Sequence, residues 1–155
     1  MRNDEMYLQL YLIRHGESMG NIETDEPFDK TNPPLTRHGK MQAKAVGERF
    51  AELKEFTLYS SPLDRAKETA SQISTEMIID SDLLENGVRA TENGFEDYYE
   101  SAEESYARAL KVIEKIRSIY NIGVKTFGLL LDDIPWEFQY DDDKERFDGI
   151  VNAHI

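Results

Sequence analysis

Arg14, His15 and Gly16 stand together where an apolar run stops, and their types suit chemistry on a phosphate. The run Tyr7, Leu8, Leu10, Leu12, Ile13 predicts a buried strand that carries the arginine and the histidine to its C-terminal end. Gly16 lets the backbone turn tightly and approach a ligand closely. Two further segments meet an element boundary with polar residues: Ser60-Ser61-Pro62, followed by Arg65, and Asp132-Asp133. In an open α/β sheet, ligands bind beyond the carboxyl ends of the strands, so folding is expected to gather Arg14, His15, Ser61 and Arg65 at one edge, with Ser61 among the phosphate-binding residues. Two arginines offer bidentate donors to phosphate oxygens, and the N-terminus of a helix opened by Pro62 adds N–H groups. A histidine at the centre of such a cluster can take a phosphoryl group on a ring nitrogen. A carboxylic acid must then protonate the leaving oxygen, and Glu85, in the stretch DLLEN, is the candidate.

The elements that must position these residues read as alternating strands and helices. Residues 6–14 predict a strand, and 15–23 a turn into a short helix. The loop TDEPFDKTNPP follows. Thr36 predicts the N-cap of a helix over 37–53, with Met41, Ala45, Val46, Phe50 and Leu53 at helical spacing. Phe56–Tyr59 reads as a strand, after which Ser61 as cap and Pro62 as first residue open a helix running to Glu76. Met77–Ile79 reads as a short strand and 80–104 as irregular, acidic chain. An amphipathic helix is expected over Ser101–Tyr120, a buried strand over Val124–Leu131, and a last helix from Asp141–Asp143 with Phe147, Ile150, Val151 and His154 on one face. This alternation predicts an α/β three-layer sandwich with a mainly parallel central sheet. Residues 1–155 read as a single domain.

Charge and composition narrow the partners. Acidic residues outnumber basic ones 31 to 18, a formal net charge of −13. Nucleic acid and anionic membrane surfaces both need a basic face, so neither is expected. The same charge repels anionic substrates at long range, so a phosphate site must rest on a local positive cluster. There are no cysteines, which excludes disulfides and thiolate chemistry. The N-terminal MRNDEMYLQLYLIRHG reads as a strand rather than a signal peptide, and no apolar stretch approaches the ~20 residues that span a bilayer. A cytoplasmic protein is the expectation. Oligomeric state is not encoded in any motif.

Three motifs, LIRHGESMGN at 12–21, PLTRHGKMQA at 34–43 and SSPLDRAKETA at 60–70, resemble the histidine phosphatase superfamily, the phosphoglycerate-mutase-like fold. The likeness is clear over about residues 6–85 and looser to 120, where ESYARALKVIEKI is similar to the family's helix before its last active-site strand. The resemblance implies His15 as the phosphorylated nucleophile, Arg14, Asn21 and Arg65 as phosphate ligands, and Glu85 as the proton donor. It implies phosphomonoester hydrolysis, or mutase chemistry, on a small phosphorylated metabolite with no metal or other cofactor.

The pattern departs from that family in one place. Its pocket carries a second histidine, in a His-Gly pair ending the strand after the long helix, where this sequence has Asp132-Asp133. His38 and His154 lie in other contexts. Carboxylates there would oppose the charge of the transition state, and weak or absent catalysis is expected. The segment 121–155 itself resembles the strand and helix that carry the catalytic aspartate pair of hyaluronidase-like β-N-acetylglucosaminidases, with Asp132 orienting the substrate acetamido group and Asp133 as general acid. A (β/α)8 barrel of ~250 residues cannot be built from it. The chain thus resembles a chimera, a phosphatase front joined near 110–122 to a glycosidase-like strand-turn-helix. A non-catalytic phospholigand-binding scaffold and a glycosidase fragment are the alternative readings.

Overall fold

The structure is a computed structural model, and it describes residues 9–53, 55–124 and 126–131. Asp132, Asp133, His154 and the helix expected from Asp141 lie outside the described residues. In chain order the elements are β1 (Gln9–Arg14), α1 (Arg37–Phe50), β2 (Thr57–Ser60), α2 (Asp64–Ala70), β3 (Ile78–Ile79), β4 (Gly87–Thr91), β5 (Gly94–Tyr98), α3 (Ala102–Asn121) and β6 (Thr126–Leu131). Four of the strands form one parallel sheet in the order β1-β6-β2-β3. β6 is hydrogen-bonded on both sides, with Arg14 opposite Leu131 and Ser60 opposite Leu130, so the C-terminal ends of β1, β6 and β2 lie side by side.

Helices cover both faces of this sheet, as parallel strands require. On one face Leu58, Ala66 and Ala70 form a core with Ile13, Phe56, Ile73 and Met77, and Tyr11 meets Phe50 of α1 edge to face at 5.0 Å. On the other, Tyr59, Leu83, Phe127 and Leu129 pack against Val112, Ile116 and Ile119 of α3. Leu58 and Tyr59 are neighbours on β2, and strand alternation sends them to opposite layers. Gly128 makes room on the first face: a side chain there would reach within 2.9 Å of Leu58.

Several boundaries differ from those read off the sequence, among them the end of α1, which comes at Phe50 rather than at residue 53. α2 begins at Asp64 with Leu63 as its N-cap residue, so Pro62 precedes the helix and Ser61 does not cap it. Leu63 is fully buried with an extended backbone, and that anchorage delays the first helical turn. α2 also stops at Ala70 rather than Glu76, in the polar run Ser71, Gln72, Ser74, Thr75, whose side chains compete with helical hydrogen bonds. Only Met19–Asn21 becomes helical within 15–23, as a single 3₁₀ turn. The segment 80–104 is not irregular: it contains a 3₁₀ turn, Ser81–Leu83, and the β4–β5 hairpin. Apolar alternation does not announce that hairpin, because Arg89 pairs with Glu96 across it and stacks 4.4 Å over the Tyr98 ring.

The turn at His15-Gly16 is held from two helices. The Gly16 N–H donates to Thr69 Oγ1 at 3.1 Å, and that hydroxyl donates to the Arg65 carbonyl at 2.8 Å. From α1, a Cβ on Gly16 would meet the Gly39 carbonyl oxygen at 2.3 Å, and one on Gly39 would meet the Glu17 oxygen at 1.9 Å. Two glycines are therefore needed for the backbones to approach this closely. Thr36 caps α1 as expected, accepting from Gly39 N at 2.9 Å, and also donates to Glu17 Oε1 at 2.6 Å. The PLTRHG motif is thus the seat on which the RHGE turn rests.

The chain between β3 and β4 hangs from α3. Lys115 Nζ donates to Asp80 and Asp82 at 2.6–2.8 Å. Arg108 donates to Glu100 through Nε at 2.8 Å and Nη2 at 2.5 Å. These donors hold the Glu100 carboxyl below the ordinary carboxylate value, burial working the other way and Ser105 adding a smaller lowering effect.

A depressed carboxyl pKa stabilises the fold above its unfolded value, near 4.5 here, and that stabilisation is lost as the pH falls through the folded value. Urea unfolding at pH 7 and pH 3.5 should therefore show a larger acid loss in the wild type than in Glu100→Gln; equal losses contradict the assignment. Thr69→Val removes the acceptor of the buried Gly16 N–H at nearly constant volume and should lower stability by about 1–3 kcal/mol, whereas Thr69→Ser should not.

Candidate active site

Arg65 is the centre of the site. It emerges from the first turn of α2 with 2% of its surface exposed, and its guanidinium reaches two of the sequence-identified residues at once. Nε donates to His15 Nε2 at 3.2 Å, and Nη2 donates to Glu85 Oε1. His15, itself 5% exposed, directs Nδ1 to the Gly16 carbonyl at 2.5 Å. A carbonyl only accepts, so Nδ1 carries the proton and Nε2 keeps its lone pair. The ring atom beside Arg65 is therefore the one with a lone pair to offer.

His15 gets this orientation from its place one residue beyond β1. Arg14 ends the strand, and the turn fixed by Thr69 and Gly39 swings the imidazole toward α2. Glu85 comes from the β3–β4 connection and keeps about a fifth of its side chain exposed, so a proton has access to it. Arg14, His15 and Asn21 line one groove, whose other wall is α1 with Gln42, Ala43, Val46, Arg49 and Phe50. The groove encloses about 810 Å³. Arg65 and Glu85 stand outside that lining, so the imidazole connects the groove with the guanidinium–carboxylate pair. Asn21 uses its Oδ1 to accept from the Ser18 N–H and hydroxyl, each at 2.9 Å. That fixes the amide at the groove rim.

Ser61 is fully buried at the end of β2, with its Oγ 3.4 Å from the Leu63 N–H, and shapes the entry to α2. Structure thus joins His15, Arg65 and Glu85 directly and puts Arg14 and Asn21 beside His15 along the groove, while Ser61 stands buried at the entry to α2. The pair Asp132 and Asp133 follows Leu131, the residue opposite Arg14, and lies outside the described residues. Sequence reasoning missed Thr69 and Glu17. Thr69 was accessible in principle, since it lies four residues after Arg65 and so on the same helical face. Glu17 belongs to a turn–helix contact that local spacing does not reveal. Among the described residues, no group of three or more His, Cys, Asp or Glu side chains is placed to hold a metal ion.

Known proteins resemble this chain in sequence and in fold. The family model described as histidine phosphatase superfamily (branch 1) matches residues 10–114. The probable phosphoglycerate mutase GpmB of Salmonella paratyphi C (strain RKS4594) is 36% identical over 107 residues, covering 66% of this chain and 49% of that protein. Its namesake in Klebsiella pneumoniae (strain 342) matches with the same identity and coverage. The chain spans about half the length of these curated relatives. Among solved structures, phosphoglycerate mutase from Bacillus anthracis str. Sterne superposes with a TM-score of 0.63 at 17% identity, over 81% of this chain and 74% of that one. The protein histidine phosphatase SixA, complexed with tungstate, superposes with a TM-score of 0.55 at 15% identity, over 81% and 69%. At such identities the structures speak for the fold, an α/β sandwich of the phosphoglycerate mutase type, while the family match rests on the motifs. With its three motifs, its sheet order and a family match over two thirds of its length, this chain belongs to the histidine phosphatase superfamily.

Proposed function

We propose that the protein acts on phosphoric monoesters through a phosphohistidine at His15, and does so slowly. The observation that carries this reading is the buried Arg65 guanidinium, bonded to His15 Nε2 on one side and Glu85 on the other. In the proposed first step Nε2 attacks phosphorus, the P–O ester bond breaks, and Glu85 gives its proton to the leaving oxygen. An arriving phosphate dianion takes donors from Arg65 and so releases Glu85 to carry that proton. In the second step water attacks the phosphohistidine, Glu85 accepts its proton, and phosphate leaves. Arg14, Asn21 and Arg65 bind the phosphoryl oxygens, and Ser61 supports the helix that carries Arg65.

The slowness follows from the residues after β6. The family resemblance expects a histidine donor there, and the chain has Asp132-Asp133. Loss of one such donor costs ~2.7–4 kcal/mol of transition-state stabilisation. Replacing that donor by carboxylates in a chain of net charge −13 should cost more. The substrate class is a small phosphorylated metabolite, which a net acidic protein must recognise at short range, and no metal or organic cofactor is needed for these steps. The reading takes residues 1–155 as one cytoplasmic domain. Support for including residues beyond 121 comes from β6, bonded between β1 and β2 in the open sheet; a glycosidase barrel would need that strand in a closed one.

Turnover of p-nitrophenyl phosphate by wild type and His15→Ala checks both parts. Slow release of nitrophenolate that His15→Ala abolishes is expected. Brisk wild-type turnover would contradict the penalty assigned to Asp132-Asp133, and equal rates in both would remove His15 from the chemistry. Calorimetric heat with vanadate but no turnover would favour a non-catalytic phospholigand-binding scaffold instead.

A further inference from the structure

We infer that Arg108 of α3 is a positioning residue for Glu85, an inference that rests on Glu85 being the proton donor. Glu85 sits on the β3–β4 connection, whose only regular feature among the described residues is the 3₁₀ turn Ser81–Leu83. Such a segment does not by itself hold a carboxyl to the fraction of an ångström that proton transfer needs. Arg108 supplies the constraint from outside. Its Nη1 donates to the carbonyl of Leu84, the residue before Glu85, and to that of Asp82 at 3.0 Å. Its Nε and Nη2 are fixed on Glu100, which also accepts from Ser105 Oγ at 3.0 Å. Glu100 closes the clamp, because its own N–H donates to Asn86 Oδ1 at 2.8 Å. The residues on both sides of Glu85 are therefore tied to one ion pair.

The side chain at this position has to be an arginine. A planar guanidinium presents donors in a fixed fork, so one group spans a carboxylate and two carbonyls. A lysine keeps the charge but has a single compact head on a flexible stem. The clamp is also separable from the fold. Lys115 holds Asp80 and Asp82 about two turns further along α3, and Leu83 remains packed on Val112 and Ile116. Loss of Arg108 should loosen 82–86 without releasing the helix.

The test compares the full-length wild type with Arg108→Ala, Arg108→Lys and Glu85→Gln. Two readouts are taken: amide hydrogen exchange over 82–86, and single-turnover phosphoryl transfer to His15. Transfer is measured from p-nitrophenyl phosphate, whose leaving group needs no proton, and from phenyl phosphate, whose leaving group does. In Arg108→Ala, exchange over 82–86 should rise about tenfold or more while that of β2 and β6 stays unchanged. Transfer from phenyl phosphate should fall about tenfold further than transfer from the nitrophenyl ester, with Glu85→Gln giving the same split and Arg108→Lys recovering little of it. Unchanged exchange over 82–86 overturns the clamp whatever the transfer rates. Faster exchange with equal losses for both esters, while Glu85→Gln separates them, overturns the positioning role. Absence of a split in Glu85→Gln, or of any transfer, instead overturns the assignment of Glu85 or of His15, and the exchange result then judges the clamp alone.

Discussion

A guanidinium with 2% of its surface exposed must be compensated by its neighbours, and the site is arranged around meeting that need for Arg65. Removing a cation from water costs several kcal/mol unless close partners replace the solvent. Here the partners are a carboxylate, Glu85, and the lone pair of an imidazole whose other nitrogen is already committed. The same constraint fixes all three groups. Arg65 can stay buried only if His15 keeps one tautomer and Glu85 stays in reach, and those are the conditions that the proposed chemistry sets for its nucleophile and its acid. Each partner is in turn held by a different element: His15 by the turn on Gly39 and Thr69, Glu85 by the connection hung from α3.

The two sides of the site are built by different means. On the histidine side the constraint is steric, with two backbones touching where only glycines fit, and a cap whose hydroxyl serves both α1 and Glu17. On the acid side it is electrostatic, with two cations of α3 gripping an acidic connection. Ion pairs of this kind weaken as carboxylates are protonated, so the two sides respond differently to acid. A close-packed turn tolerates little displacement. The acid side depends instead on the ion pairs of α3 to hold Glu85, the residue proposed as proton donor, in place.

The sequence carried the site better than it carried the boundaries. LIRHGES and PLTRHG announce a strand end and a capped helix that local rules are enough to read, whereas SSPLDR announces a helix without giving its first residue. Thr36 behaves as the cap its spacing implies, and α3 begins one residue after Ser101 with the capping box that Glu104 completes. What stayed hidden depends on contacts distant in sequence. Leu63 delays α2 because its side chain is buried by residues far away, and propensity cannot express that. The β4–β5 hairpin is held by charge pairing and a cation over a ring, so it shows no apolar alternation. PLTRHG was read as a family motif and a helix start, yet its physical purpose is close contact between Gly39 and Glu17, 22 residues apart in sequence. Arg108 has no local signal in the sequence, because its bonds go to two carbonyls on another segment.

Net charge and local charge act in opposite directions here. The chain as a whole repels anions, while Arg14 and Arg65 attract them within a few ångströms, so the site should discriminate by fit and close contact more than by steering. The most direct test of the whole account is to incubate the protein with p-nitrophenyl phosphate, quench in alkali, where phosphohistidine survives, and map the modified peptide by mass spectrometry. One phosphoryl group on the peptide containing His15, present in the wild type and absent in Arg65→Ala, is the result the account predicts. Nitrophenolate release with no phosphoryl group on His15 at any time, or equal labelling when Arg65 is removed, would contradict it.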